Sequence, residues 1–256
     1  MLLPINDFLI SNSINKFINF ANIINLIVSR FLLFKTCKLN EFCLLFYKKF
    51  EKKLKGINMN ILVVYCHPSS SSFTFSAKQA FVKGVQEAGN ECTVSDLYAQ
   101  NFNPVISESE YLREAFYSEK LEIPADVKAE QDKIEKADAI VFIFPNFWTS
   151  APAMLEGWFQ RVWTYGYAYG SRTMKTLEKA VFIMTMGGSK TEKIRQEQIE
   201  AIKCCMIGDR IHDRAKKCEF YVFDEMTRGY GNDENRLLRT RTFCQQAYQI
   251  GKNIAK

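Results

Sequence analysis

The sequence predicts an α/β fold: a doubly wound, five-stranded parallel sheet with helices on both faces, built from residues 59–256. Three observations carry that expectation. Residues 139–144, AIVFIF, form an unbroken apolar run of strand length, rich in β-branched and aromatic residues and closed by Pro145; a strand buried on both faces reads this way. Strand-like and helix-like segments alternate along the chain instead of clustering by type, which is the pattern of a parallel sheet wound by crossover helices. No internal repeat and no second core interrupt the alternation.

The elements follow in order. Residues 60–65, NILVVY, are the first strand, and 66–72, CHPSSSS, a polar loop. A helical pattern over 73–88 is stopped by Gly89 and Asn90, a helix-ending pair. Residues 91–95 are a short second strand centred on Val94, followed by a loop over 96–107 and charged helical segments over 108–117 and 126–136. The third strand, 139–144, runs into a loop at 145–151. The next helix covers 151–163, with Pro152 in its first turn, where a missing N–H costs nothing. Residues 179–186, KAVFIMTM, are the fourth strand and end in Gly187-Gly188; a long helix fills 192–207. The fifth strand is 218–223, CEFYVF, and a last helix spans 233–252.

Length and charge narrow the function. With 256 residues there is room for one α/β domain of about 200 residues plus an extension. The net charge of +6 resides wholly in residues 1–58, which hold 9 Lys/Arg against 3 Asp/Glu, while residues 59–256 hold 25 of each sign. The main domain therefore offers no basic face for nucleic acid. The 8 cysteines form no CxxC pair and no zinc spacing, and read as reduced thiols of a cytoplasmic protein. With only 2 histidines, His67 and His212, a multi-histidine metal site is not expected.

Residues 1–58 form an N-terminal extension of different composition, in which Phe, Ile, Asn and Lys supply 32 of the 58 residues. Its most apolar stretch is broken by Asn19, Asn22, Asn25 and Arg30, so no transmembrane span is expected, and no signal-peptide cleavage site is evident. The cationic run from Lys48 to Lys55 allows a basic surface helix. The preferred reading is that Met59 is the initiator and 1–58 is translated upstream sequence, since Lys55-Gly56-Ile57-Asn58 is what a purine-rich ribosome-binding site and spacer would encode. Peptides from before Met59 in the natural protein's mass spectrum would overturn it.

Open α/β sheets bind ligands beyond the carboxyl ends of their strands, and three such loops carry suitable chemistry. The first, ahead of a helix N-terminus that favours anions, lacks GxGxxG and GxxxxGK[ST]. It presents instead the hydroxyls of Ser69 to Ser72 and Thr74, with His67 beside them. These suit a phosphate, although Ser72 alone would serve as an ordinary helix cap and His67 as a structural histidine. In the third-strand loop Phe147 and Trp148 suit a flat ring system, or equally packing against the next helix. After the fourth strand, Thr185-Met186-Gly187-Gly188-Ser189 exposes backbone donors that can meet charge building on a ring edge, though Gly-Gly also makes tight turns.

The segments HPSSSSFT, SDLYAQNFNPVIS and FPNFWTSAPAMLEGWFQRVW, with the Thr-x-Gly-Gly turn, resemble the NAD(P)H:quinone oxidoreductase (DT-diaphorase-like) branch of the flavodoxin-like proteins. The resemblance is strong over residues 59–188 and weak beyond; Glu156 stands where that family often has lysine, and residues 1–58 have no counterpart. It implies a flavodoxin-like sheet of order 2-1-3-4-5. It also implies a non-covalent FAD (FMN is the alternative) and NAD(P)H as co-substrate. The reaction would be ping-pong hydride transfer to a quinone or related aromatic acceptor. The partner implied is a second copy, in a homodimer with the site at its interface.

Carried over residue by residue, the resemblance puts His67, Ser71, Ser72, Phe73 and Thr74 on the flavin's phosphate and ribityl portion. Pro145, Asn146, Phe147, Trp148 and Thr149 fall along the ring, Thr185, Gly187 and Gly188 near its pyrimidine end, and Arg236 on the adenine side. Tyr167 and Tyr169 match the aromatic segment lining the substrate pocket across the interface. Trp148, Gly187, Gly188 and Tyr169 are the positions expected against the reacting ring; no side-chain acid or base is compelled, and no metal is expected. One departure matters: the tyrosine and histidine of mammalian members after the Gly-Gly turn are absent, and Lys190 or Lys193 is the substitute cation in view. Two other readings stay open. One is a flavin-binding regulatory or sensor subunit, for example of an ion-efflux system. The other is an electron-carrying flavodoxin, against which the neutral balance of residues 59–256 speaks.

Overall fold

The computed structural model describes residues 58–229 and 231–256; the expectations for residues 1–57 lie outside them. Five strands form one parallel sheet in the order β2-β1-β3-β4-β5, which is the flavodoxin-like order expected. Along the chain they are β1 (Asn60–Tyr65), α1 (Phe73–Glu87), β2 (Glu91–Asp96), α2 (Glu108–Ala115), α3 (Ala125–Lys136) and β3 (Ala139–Pro145). Then come α4 (Ala153–Val162), β4 (Lys179–Thr185), α5 (Lys193–Lys203), a π-helical segment (Cys204–Ile211), β5 (Cys218–Phe223) and α6 (Asp233–Lys252).

Every residue of β3 and β4 is buried, which is why β3 reads as a continuous apolar run. Its side chains divide by the two-residue period of a strand. Ile140, Phe142 and Phe144 face Trp158, Phe159 and Leu155 of α4 and the apolar side of α3 and α5. Val141 and Ile143 face Phe81 and Val85 of α1 and Phe243 and Ala247 of α6. On the first face Phe142, Phe182 and Phe220 stack across β3, β4 and β5 at 5.0 and 5.5 Å between ring centroids.

On the second face α1 and α6 approach as closely as backbones allow. A Cβ at Gly84 would lie 2.1 Å from the Tyr248 carbonyl oxygen, and one at Gly251 would lie 2.2 Å from that of Phe81. The contact is reciprocal, each helix lending a glycine to the other's carbonyl.

A buried polar lattice ties the loop after β2 to α4. The Arg161 guanidinium donates to Glu110 Oε1 at 2.7 Å, to the Asn103 carbonyl at 2.6 Å and to both Asp126 oxygens. Glu110 also completes a capping box with Ser107 at the start of α2. Trp158 Nε1 donates to Glu130 Oε2 at 2.9 Å, and Gly157 meets Pro104 so closely that a Cβ would sit 2.1 Å from its carbonyl oxygen.

Two boundaries depart from expectation. Pro152 is the N-cap of α4, with ψ of 144°, so that helix starts at Ala153 and not at 151. The single helix expected over 192–207 ends at Lys203 and widens into the π-helical segment, which His212 closes at φ +45°. Tertiary bonds hold that widened turn: Trp163 Nε1 donates to the Arg210 carbonyl at 2.6 Å. Periodicity does not announce such a turn, because it costs the pattern only one residue.

Candidate active site

The carboxyl ends of β3 and β4 are level, Pro145 paired to Thr185, and β1 ends two residues short of them, Tyr65 being paired to Ile143. The chain order reverses between β1 and β3, a topological switch point where such sheets leave a crevice. A cavity of about 360 Å³ occupies it.

The first loop supplies one wall. Ser72 Oγ accepts from the Phe75 N–H at 3.0 Å and caps α1; its acceptor role is spent on the helix. Ser69 is half-buried and Ser71 exposed, their hydroxyls 3.0 Å apart at the cavity rim. Ser72 thus caps the helix as an acceptor and keeps its O–H as a donor on the lining. His67 Nδ1 accepts from the Ser69 N–H at 2.9 Å, which leaves Nε2 as the ring's donor. Burial holds the His67 pKa below its ordinary value, so the ring is a neutral donor at pH 7. Deeper in, Thr74 and Thr185 join their hydroxyls at 2.8 Å. Cys66, buried beneath this loop, has its thiol pushed up to about 12 by burial and is no nucleophile.

The second wall is the loop after β3. Asn146 N–H donates to the Thr185 carbonyl at 2.7 Å. Phe147 and Ser150 then exchange both backbone hydrogen bonds, at 2.9 and 3.0 Å, around Trp148 and Thr149. Both central residues have positive φ, +51° and +61°, the requirement of a type I′ turn, which usually takes Asn-Gly. With Trp and a β-branched Thr there, the turn stores about 1–3 kcal/mol at each residue. The period of the loop separates the two aromatics: Phe147 lines the cavity, whereas Trp148 is fully exposed at 100%.

Residues after β4 and β5 close the third side. Glu225 N–H bonds the Gly188 carbonyl and Met226 N–H that of Met186, both at 3.1 Å, lacing the two loops together. A Cβ on Gly187 would lie 2.4 Å from Thr227 Oγ1, so only glycine lets this wall approach. Arg236, from the first turns of α6, reaches the cavity beside Arg228.

Eleven expected positions therefore meet in one lining: His67, Ser71, Ser72, Phe73 and Thr74 on the first wall, Pro145, Asn146 and Phe147 on the second, with Thr185, Gly187 and Arg236 on the third. Trp148, Thr149 and Gly188 adjoin it in sequence without lining it, and Tyr167 and Tyr169 stand apart from it. Tyr167 is buried, its hydroxyl donating to Glu135 at 2.9 Å; Tyr169 donates to Glu114. Burial and these carboxylates raise both phenols well above their ordinary range. Lys190 is drawn to the buried Asp224, 3.3 Å away. The side chain lying over Gly188 is instead Arg195, whose Nε would be 2.7 Å from a Cβ there. Ser69, Met186, Met226, Thr227 and Arg228 complete the lining; the signal of the last three was position alone, just beyond the fifth strand.

Two residues of the lining carry a polar atom that is buried without a hydrogen-bond partner, Asn146 Oδ1 and Arg236 Nε, the latter 3.7 Å from Asp233 Oδ1 in an ion pair, although buried polar groups are nearly always hydrogen-bonded. An acceptor at the ring wall and a cationic donor at the far end fit a flat, hydrogen-bonding ring carrying phosphate. No group of three or more His, Cys, Asp or Glu side chains fit to hold a metal occurs among the described residues.

A family model described as flavodoxin-like fold matches residues 59–203. An NAD(P)H:quinone oxidoreductase from Methanothermobacter marburgensis superposes with a TM-score of 0.71 at 34% identity, covering 77% of this chain and 96% of that one. The chain belongs to the flavodoxin-like family, in its NAD(P)H:quinone oxidoreductase branch. NAD(P)H dehydrogenase [quinone] 1 of Rattus norvegicus is 38% identical over 146 residues, which are 50% of this chain and 53% of that protein. Ribosyldihydronicotinamide dehydrogenase [quinone] of Rattus norvegicus is 37% identical over 122 residues, 43% and 53% of the two chains. The chain spans about half the length of these curated relatives. In this flavodoxin-like chain the family match takes in the walls from β1, β3 and β4, whereas Thr227, Arg228 and Arg236 lie beyond it.

Proposed function

We propose that residues 59–256 form an NAD(P)H-dependent flavin oxidoreductase that reduces quinones or related aromatic acceptors by two-electron transfer, in ping-pong order. One observation carries the reading. The ends of β1, β3 and β4 meet in a cavity that sets a hydroxyl-rich helix N-terminus against Asn146, whose buried Oδ1 has no hydrogen-bond partner, and the Arg236 side chain. Relatives named for NAD(P)H and quinone support the reaction class. A bound flavin would supply the hydride chemistry; the chain binds and orients. Ser69, Ser71 and the His67 Nε2–H hold phosphate at the N-terminus of α1, and the Thr74–Thr185 hydroxyl pair meets the ribityl chain. Asn146 Oδ1 accepts from the ring edge. The backbone N–H groups at Gly187 and Gly188 meet charge at the pyrimidine end. Phe147 flanks the ring, and Trp148, exposed outside the lining in the single chain, is covered in the homodimer.

Arg228, whose Nη2 donates to the Ser71 carbonyl at 3.4 Å, and Arg236 put two cations on the lining; they favour FAD over FMN, because FAD brings a second phosphate. The site is completed in a homodimer, where Tyr169 of a second copy faces the ring. The support is a shallow groove lined by Val105, Phe147, Ala153 and Gly157 beside the exposed Trp148; a solvated Trp and Val there favour burial on association. No helix among the described residues is long and apolar enough to cross a membrane, and the proposed location is the cytoplasm.

The test is the visible absorption spectrum of the purified full chain. Oxidised-flavin bands that bleach with anaerobic NADH or NADPH and return with menadione are expected, with the released flavin running as FAD on chromatography. A colourless protein that neither FAD nor FMN reconstitutes overturns the reading.

A further inference from the structure

The carboxylate of Glu156, in the first turn of α4, does not line the cavity; its side chain is mostly buried at the edge of the shallow groove. Its Oε1 accepts from Ser150 Oγ at 2.7 Å and from the Ala151 N–H at 3.3 Å; its Oε2 accepts from Arg210 Nη2 at 2.6 Å. Arg210 comes from the π-helical segment, lies 4.8 Å over the Phe159 ring and bonds Cys205 Sγ through Nε. Both side chains of the pair are mostly buried. Ser150 closes the Phe147–Ser150 turn, whose two central residues hold positive φ without glycine or asparagine. A turn of that composition persists only where its surroundings over-determine it.

We propose that Glu156, fixed by Arg210, is a positioning residue that straps the Phe147–Ser150 turn into its strained form and so sets where Phe147 and Trp148 stand relative to the ring. The inference rests on the flavin site for its effect on rate, though not for its effect on the turn. The widened π-helical turn gains a purpose here, since it carries Arg210 across α4 to the carboxylate. The strap belongs to this chain's own residues. A lysine at this position, common in the resembled family, has no acceptor for Ser150 or Ala151 and would place a like charge on Arg210.

The experiment compares wild type, Glu156→Lys, Glu156→Gln and Ser150→Ala by residue-resolved amide hydrogen exchange on the flavin-free full chain. The Phe147 and Ser150 amides are expected to exchange at least about tenfold faster in Glu156→Lys, with β3 and β4 amides unchanged. Glu156→Gln, which keeps an acceptor for the Ser150 hydroxyl, is expected within about threefold of wild type. Flavin-loaded Glu156→Lys should retain its flavin content while kcat/KM for the acceptor falls about tenfold to hundredfold, because reacting groups are sensitive to ångström displacements. Unchanged exchange at Phe147 and Ser150 in Glu156→Lys overturns the strap. Should that variant lose β3 protection, Ser150→Ala decides: faster turn exchange in a folded protein supports the strap, and wild-type exchange overturns it. A chain that takes up no flavin yet shows the expected exchange defeats the flavin reading and leaves the strap standing.

Discussion

Arg161→Met is expected to destabilise the fold by about 3–5 kcal/mol, the cost of stranding a buried charge by removing its partner. Arg161 is 4% exposed and Glu110 6%, so without the guanidinium the Glu110 carboxylate has little water to turn to. Methionine keeps the stem and the packing over Phe102, 5.2 Å from the guanidinium carbon, which isolates the polar loss. Urea titration followed by circular dichroism should show a lower midpoint with an unchanged slope. The hydrogen bonds from Arg161 hold the Asp126 carboxyl below the usual aspartate range. That contribution is present above the ordinary aspartate pKa and is lost as pH falls through the depressed one. The gap between wild type and variant should therefore narrow in acid. A loss of under about 1 kcal/mol at neutral pH, typical of an exposed ion pair, would remove Arg161 from its place as the keystone of the loop after β2.

Arg236→Met should weaken FAD binding about tenfold to hundredfold, the effect of losing one hydrogen bond to a charged group, and change FMN binding by less than about threefold. The asymmetry follows from position. Arg236 lines the cavity from α6, its Nε without a hydrogen bond and 3.7 Å from Asp233 Oδ1, while in the proposed site the first-loop serines serve the phosphate common to both flavins. Quenching of flavin fluorescence on titration with flavin-free protein measures both constants. Equal weakening of FMN and FAD would move Arg236 to the shared phosphate and reopen the choice of cofactor. No effect on either would take it out of the site.

The sheet was legible in the sequence because its central strands are buried on both faces and its helices alternate with them. Three walls of the cavity were legible for the same reason, since strand ends fix loop positions. What stayed hidden depends on contacts between residues far apart. Lys190 looked like a free cation beside the ring, but Asp224, at the end of β5, claims it. Thr227 and Arg228 lie in a loop whose Gly229 and Gly231 mark a turn and not a ligand, and only the lacing of β5's end to the Gly-Gly turn brings them in. The GWFQRV segment carried much of the resemblance, yet Gly157, Trp158 and Arg161 spend themselves on Pro104, Glu130 and Glu110. Its specificity is that of packing, which supports the site from behind.

The reciprocal glycine contact between α1 and α6 also governs how the chain can be made. Among the described residues, the helix that completes the second face follows all five strands, whereas its seat, α1, follows only β1. Their docking closes a loop containing four of the five strands, an entropic cost met only once the distant contacts form. Until α6 is made, Phe81 and Val85 have no α6 to cover them, and the growing chain carries an open apolar face. A chain cut short before Phe243 would keep the sheet's sequence but not its cover.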